Sequence, residues 1–256
     1  MTREQPEGLL LIAARNPVPG QTKTRLGSAI GMERAAALYR AFLVDLAARF
    51  APTATYDLGW AFTPPDADFA GVLASIGAPP GPGVHLVPQD GEGWGVRQAN
   101  LLRWGIEHGY DRTVLIASDS PHLPAGRVSD AFTALDDREI ILGRVHDGGY
   151  FLIGARVPCD GLLDAVPMST ASAADALVAR AATLGYRVAE LPPTIDVDEA
   201  ADLDRLEAEL LPDGAPAPAT WAALHDLSLM GIDRQRNERP SGPASPSETT
   251  LGEDST

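Results

Sequence analysis

The chain of 256 residues has one cysteine, Cys159, and one lysine, Lys23. A single thiol forms no internal disulfide, and paired-cysteine zinc sites and dithiol redox chemistry are excluded with it. Long apolar runs are also missing: Leu9 to Ala14 is too short for a signal-peptide core or a membrane span, so a cytoplasmic protein with no membrane partner is expected. Positive charge is scarce, with 20 Lys+Arg against 35 Asp+Glu and a net charge of -15. Such a surface repels a nucleic-acid backbone, whereas a small phosphate ligand needs only a local basic pocket. Three motifs are absent as well. No Gly-x-Gly-x-x-Gly follows the first apolar run, no Gly-Lys-Ser/Thr occurs, and no Gly-x-Ser-x-Gly occurs, which argues against a nicotinamide cofactor, a P-loop kinase and a serine hydrolase.

What is present suits a folded α/β domain, since 45% of the residues are apolar. Gly8 to Ala14 reads as a buried strand stopped by the turn-rich Asn16–Gly20 segment. Ser28 or Gly31 then opens a helix whose Ala35, Leu38, Phe42, Leu46 and Phe50 share one face. Strands are expected at 56–63, 84–88, 112–118, 139–146, 150–154 and 187–191, and helices at 67–76, 96–107, up to Leu135, 171–184 and 200–211. This alternation predicts a three-layer, Rossmann-like sandwich: a mostly parallel but mixed sheet with helices on both faces and ligands at the carboxyl ends of the strands. Residues 8–211 form the expected domain and 212–232 a docking segment, with one last helix over 221–230. The Arg-, Pro-, Ser- and Glu-rich 233–256 is expected to be a disordered tail.

The sole lysine stands out because 19 of the 20 basic residues are arginine. A compact ammonium is retained most readily where arginine's planar fork does not serve. Lys23 lies in the loop after the first strand, where backbone amides and a helix N-terminus favour phosphate, beside Arg25 and with Arg15 as a third cation. The bland alternative is a solvated loop. A second loop, Gln89 to Asn100, holds Gly91, Gly93 and Gly95, whose missing side chains admit a nucleoside; a glycine-rich turn without ligand is the alternative. Asp119 ends the strongest central strand. A hard divalent cation shared with phosphates takes one or two protein carboxylates, so Asp119 is the leading ligand, unless it merely caps the next turn. His122 beside it could contact substrate, but it reads more readily as an exposed loop histidine with no role. Asp147, with Gly148 and Gly149, adds a second acidic group. Asp196 adds a third, on the same side as Asp198 if the segment is extended, although Asp198 also suits the N-cap of the last long helix.

These segments resemble the radical-SAM/selenodomain-associated transferase 1 family of the GT-A-like nucleotide-diphospho-sugar transferase superfamily. The resemblance rests on Asn16–Leu26, Ser118–Pro124, Asp147–Gly154 and, more loosely, Ser169–Thr170. The Lys-Thr-Arg-Leu and Ser-Asp-Ser-Pro segments are also similar to parts of 2-phospholactate and molybdenum-cofactor guanylyltransferases, in which such an Asp binds magnesium. The family's usual Asp-Gly-x-Leu-Gly-Glu-Arg is replaced by Asp90 to Arg97, and its usual Trp-Ser-Thr by Met168 to Thr170, so substrate identity does not carry over.

The resemblance implies a Mg²⁺- or Mn²⁺-dependent transferase acting on a nucleotide donor and a small-molecule acceptor. Lys23, Arg25 and Asp119 are its expected catalytic groups. Arg15, Pro19, Gly20, Lys23, Arg25, Gly91, Gly93, Gly95 and Asn100 are expected to bind nucleotide. Asp147, Gly148, Gly149, Tyr150, Ser169 and Thr170 are expected at the acceptor, and Asp119 and Asp196 at the metal. Early cations suit a triphosphate, which favours nucleotidyl transfer over glycosyl transfer from a nucleotide-sugar. A nucleotide-binding module without catalysis is the third alternative.

Overall fold

A computed structural model describes residues 5–229. The chain runs β1 (Gly8–Arg15), α1 (Thr24–Ile30), α2 (Met32–Arg49), β2 (Tyr56–Thr63), α3 (Phe69–Ser75), β3 (Val84–Pro88), α4 (Gly93–Glu107), β4 (Arg112–Ala117), α5 (Ala125–Ala134), β5 (Ile140–Val145), β6 (Tyr150–Ala155), α6 (Ala173–Thr183), β7 (Val188–Thr194), α7 (Ala200–Leu210) and α8 (Pro218–Leu229). The seven strands form one sheet in the order β3-β2-β1-β4-β6-β5-β7. β6 lies antiparallel to both β4 and β5, and the remaining pairs are parallel, so the sheet is mixed as expected.

β1 reads as a continuous apolar run because it is central and covered on both faces. Its residues alternate between two cores. Leu10, Ile12 and Ala14 face one layer with Leu38, Phe42, Phe69, Val128, Leu203 and Leu224, whereas Leu9, Leu11 and Ala13 face the other with Leu101, Leu102 and Leu177. Helices α2, α3, α5, α7 and α8 thus cover one face, and α4 and α6 the other. From β1 the chain steps outward to β2 and β3, then returns to place β4 on the opposite side of β1. The reversal opens a crevice above the carboxyl ends of β1 and β4, the place where such sheets bind ligands.

Several boundaries differ from the sequence reading. The first helical region is two helices: α1 already begins at Thr24, and Gly31, at φ 98°, breaks it from α2. α4 begins at Gly93, so half of the glycine-rich loop is the first turn of a helix. β7 extends to Thr194 through Pro192 and Pro193 because it is an edge strand, bonded only to β5, where a missing N–H is tolerated. α8 starts at Pro218, a favoured first helical position, and its Ala219 and Thr220 amides donate to the buried carboxylate of Asp45 on α2, at 2.9 and 2.7 Å. Met230 and the expected tail at 233–256 lie outside the described residues. Among the described residues, no helix is long and apolar enough to cross a membrane.

Candidate functional site

A cleft of about 670 Å³ occupies the crevice above β1 and β4. The segments on its floor are tied together by their own backbone and hydroxyls. Ser118 Oγ lies 2.7 Å from the Tyr39 hydroxyl, Ser120 Oγ donates to Ile195 O at 2.7 Å, and Val197 N donates to Asp119 O at 3.0 Å. Alternation then leaves Asp119, between the two serines, with its carboxylate in the cleft. The same stitching brings Asp196 and Asp198 to the cleft wall from the far end of the chain.

Lys23 is the hub. It precedes α1 in the left-handed region, at φ 47° and ψ 45°, unusual for a side-chain-bearing residue. That turn sends the side chain inward, where it is only 6% exposed. Its ammonium donates to Val197 O at 2.5 Å and sits 2.7 Å from Asp119 Oδ1 and 2.9 Å from Asp198 Oδ1, with the Tyr39 ring 5.9 Å away. Burial works to lower its pKa, but Asp119 and then Asp198 override this and hold the ammonium above its ordinary value. Tyr39 is held on the same network: Arg15 N donates to its hydroxyl at 2.9 Å, and burial, then Asp119, push its pKa up to about 12.

The two neighbouring aspartates are driven in opposite directions. Burial, then Asp198, Asp147 and Asp119, push Asp196 up to about 7. Asp198 is raised by burial but more than compensated by Lys23, with Arg25 and Arg15 behind it, and ends below its ordinary value. Asp198 is therefore an ion-pair partner of Lys23 and not the helix cap. The cap of α7 is Glu199, in a reciprocal capping box with Asp202.

Arg15 and Arg25 line the cleft with exposed side chains; Arg25 approaches Glu199 only to 3.9 Å. Gly93, Asp147, Gly149, Tyr150, Ser169 and Thr170 also line it. Pro19, Gly20, Gly91, Gly95, Asn100 and Gly148 do not form its wall. Asn100 donates to Asp90 O and accepts from Arg103. Gly148 has a packing reason to lack a side chain: at φ 92°, a Cβ there would stand 1.9 Å from Ala171 O. His122 is not the exposed loop histidine expected. It is 7% exposed, with Nε2 3.1 Å from Thr194 Oγ1, and burial, then the Arg49 cation, push it down to about 4.

The sequence reading passed over Tyr39, Gln89, Trp94 and Gln98 as site residues. Tyr39 carried one signal, a hydroxyl on a buried face of α2 whose other polar member is Asp45. Gln89 Nε2 donates to Ala61 O at 2.8 Å and fixes the start of the next loop. A second hollow of about 460 Å³ lies at the opposite end of the strands, where Arg112 bridges Glu7 and Asp136, so its charges are mutually neutralised.

The carboxylates of Asp119, Asp196 and Asp198 are hard oxygen donors of the kind Mg²⁺ and Mn²⁺ take. No group of three or more metal-binding side chains is preassembled among the described residues. Magnesium shared with phosphates needs only one or two carboxylates, so the donor set fits. Asp196, raised first by burial and then by Asp198, Asp147 and Asp119, is the carboxyl of this set least compensated by the neighbouring cations.

Residues 53–170 match the family described as "Uncharacterized protein conserved in bacteria (DUF2064)". No match was found among curated proteins. Among solved structures, the chain is similar to a Desulfovibrio desulfuricans G20 protein provisionally assigned as a nucleotide-diphospho-sugar transferase, at 30% identity and a TM-score of 0.79, covering 88% of this chain and 97% of that one. It shares its fold with a cytidylyltransferase from Leptospira borgpetersenii (14% identity, TM-score 0.52, 88% and 94% covered). It shares it also with a 4-diphosphocytidyl-2C-methyl-D-erythritol synthase from Anaerococcus prevotii (8% identity, TM-score 0.53, 79% and 95% covered). With 30% identity spanning nearly all of the Desulfovibrio protein, the chain belongs to the same family as that protein, and its residues 53–170 carry the DUF2064 pattern.

Proposed function

We propose that the chain is a nucleotide-utilising transferase that moves a nucleoside monophosphate from a nucleoside triphosphate to a phosphorylated small molecule, releasing pyrophosphate. The observation that carries this reading is the convergence of Lys23, Asp119 and Asp198 in one cleft, flanked by Arg15 and Arg25. The narrower kinship with the radical-SAM/selenodomain-associated transferases is supported by the motifs at 16–26, 118–124 and 147–154, of which the first two supply Lys23, Arg25 and Asp119.

In this reading Arg15, Lys23 and Arg25 hold the triphosphate, and nothing in the cleft has to serve as a covalent nucleophile. Asp119 and Asp196, with Asp198 beside them, would hold Mg²⁺ or Mn²⁺, which when bound supplies charge neutralisation for the donor phosphates. Asp196 must give up its proton to join that set, which its raised pKa permits at about neutral pH. Tyr39 stays protonated and braces Ser118 and the Arg15 amide, so the rim of the sheet keeps its shape as charge accumulates. Rate enhancement comes from positioning and charge stabilisation.

Glycosyl transfer from a nucleotide-sugar is the second reading, favoured by the name given to the Desulfovibrio relative. The two are separated by product. Incubation with Mg²⁺, nucleoside triphosphates and a panel of sugar phosphates should release pyrophosphate. Release of nucleoside diphosphate from nucleotide-sugars, with no pyrophosphate from triphosphates, would replace the first reading by the second.

A further inference from the structure

The cleft has a second end, away from the lysine, that the phosphate chemistry leaves unused. There Gln98, on α4, is completely buried and forms part of the cleft wall. Its Oε1 lies 3.1 Å from the Tyr150 hydroxyl, but its Nε2 has no protein partner. Turning the carboxamide over exchanges the two atoms without curing the mismatch, because one end still meets Tyr150 and the other still meets nothing. A buried polar group left in this state costs stability and calls for an explanation.

The surroundings define what would satisfy it. The Tyr150 hydroxyl is also 3.4 Å from Met168 Sδ, and burial keeps Tyr150 protonated by pushing it up to about 12. Trp94, on the first turn of the same helix, gives an aromatic wall. Arg97, on the same turn, also lines the cleft and donates through Nε to Gly91 O at 3.0 Å. Gly95 makes the closeness possible, since a Cβ there would come within 3.1 Å of Met168 Cε. Neutral polar groups, Gln98 and Tyr150, converging beside an aromatic face are the usual build of a small-molecule subsite. A hydroxyl, able to donate and accept, matches the orphaned amide in either orientation.

We propose that Gln98 and Tyr150 form a subsite for the uncharged, hydroxyl-bearing part of the acceptor, with Gln98 as its specificity-determining residue. The subsite joins α4, whose first turn carries glycines expected at the nucleotide, to Tyr150 at the start of β6. The inference rests on the transferase reading for the word acceptor. In the glycosyl alternative the same subsite takes the sugar of the donor.

The test compares wild type with Gln98→Leu, which keeps the bulk and removes the amide. Free protein is melted, and calorimetric Kd values are measured with Mg²⁺ for nucleoside triphosphates, for UDP-glucose, and for a panel of hexose phosphates and glycerol phosphate. Gln98→Leu should melt higher by roughly 2–6 °C, because the orphaned amide is gone. It should bind triphosphates as wild type does, and it should weaken sugar-phosphate or UDP-glucose binding at least about tenfold. Weakening of sugar phosphates marks the acceptor; weakening of UDP-glucose alone marks the donor sugar and overturns the acceptor assignment. A fall in melting temperature would show that the amide holds the structure together, and an equal loss of triphosphate binding would make Gln98 a reader of the nucleobase. Failure of every hydroxylated probe to bind wild type would remove the subsite. Any of these three overturns the inference. Wild type that binds sugar phosphates but no triphosphate refutes the transferase reading and leaves the subsite standing. Should Gln98→Leu not fold, Tyr150→Phe must give the same split between triphosphates and hydroxylated probes.

Discussion

Replacing Lys23 by methionine keeps the length of the side chain and removes its charge, which tests whether the ammonium is what allows three aspartates to share one cleft. In the wild-type chain it lies 2.7 and 2.9 Å from Asp119 and Asp198 and is nearly inaccessible, whereas those carboxylates are 32% and 48% exposed. Removing one partner of a fully buried pair costs about 3–5 kcal/mol. Here water reaches the abandoned carboxylates, and solvent screening cuts this to about 2 kcal/mol. For a chain of this size that is a fall in melting temperature of roughly 4–8 °C. The cause is repulsion among the remaining carboxylates, so Asp119→Asn added to Lys23→Met should restore part of the loss, with a coupling of about 1 kcal/mol. Magnesium should likewise raise the melting temperature of Lys23→Met by more than that of wild type. Differential scanning calorimetry of the two single variants and the double variant, with and without Mg²⁺, measures all of this. A Lys23→Met variant as stable as wild type, or strictly additive effects with Asp119→Asn, would refute the electrostatic account of the site.

Asp119→Asn should lower turnover about 10²–10³-fold while the chain stays folded, read by pyrophosphate release alongside circular dichroism; unchanged turnover removes Asp119 from the site. Asp196 sets a pH dependence of stability. Its ordinary pKa is 3.8 and the folded value about 7, so folding takes up a proton in that interval and stability falls as pH rises through it. His122, held neutral down to about 4, works in the opposite direction between that value and its ordinary 6.5, since stability is lost as pH falls. Subtracting the melting curve of Asp196→Asn from that of wild type isolates the first slope, and a flat difference would contradict the assignment. Asp45→Ala strips α8 of its cap and should cost about 1–2 kcal/mol by urea unfolding, with nucleotide binding unchanged. Gly148→Ala places a methyl against Ala171 O and should destabilise by at least about 2 kcal/mol, in contrast to Gly126→Ala, where a Cβ meets nothing within 4 Å.

The parts of this molecule that could be read from the sequence are those where one residue type has one physical reason to be where it is. The continuous apolar run at 8–14 declared a strand covered on both faces, and alternation at 194–198 put two carboxylates on one side. A lone lysine in an arginine-rich chain pointed at its own position. The hidden parts are those where tertiary contact chooses between two acceptable roles. Asp198 is as good a cap as a counter-ion by composition. What decides is that Val197 N pairs with Asp119 O, which brings the segment against Lys23, and that Glu199 and Asp202 cap the helix between themselves. Gln98 was invisible for a related reason: a glutamine in an amphipathic helix usually faces water, and only the packing of α4 onto the sheet, against β4, buries it. The same packing gives the cleft two unlike ends. The lysine end is rich in charges of both signs, carboxylates for a divalent cation and cations for phosphates, while the glutamine end is short of one hydrogen-bond partner. On the proposed transferase reading, a phosphorylated polyol placed along the cleft would meet both ends at once, with its phosphate toward the cations and its hydroxyls toward the amide.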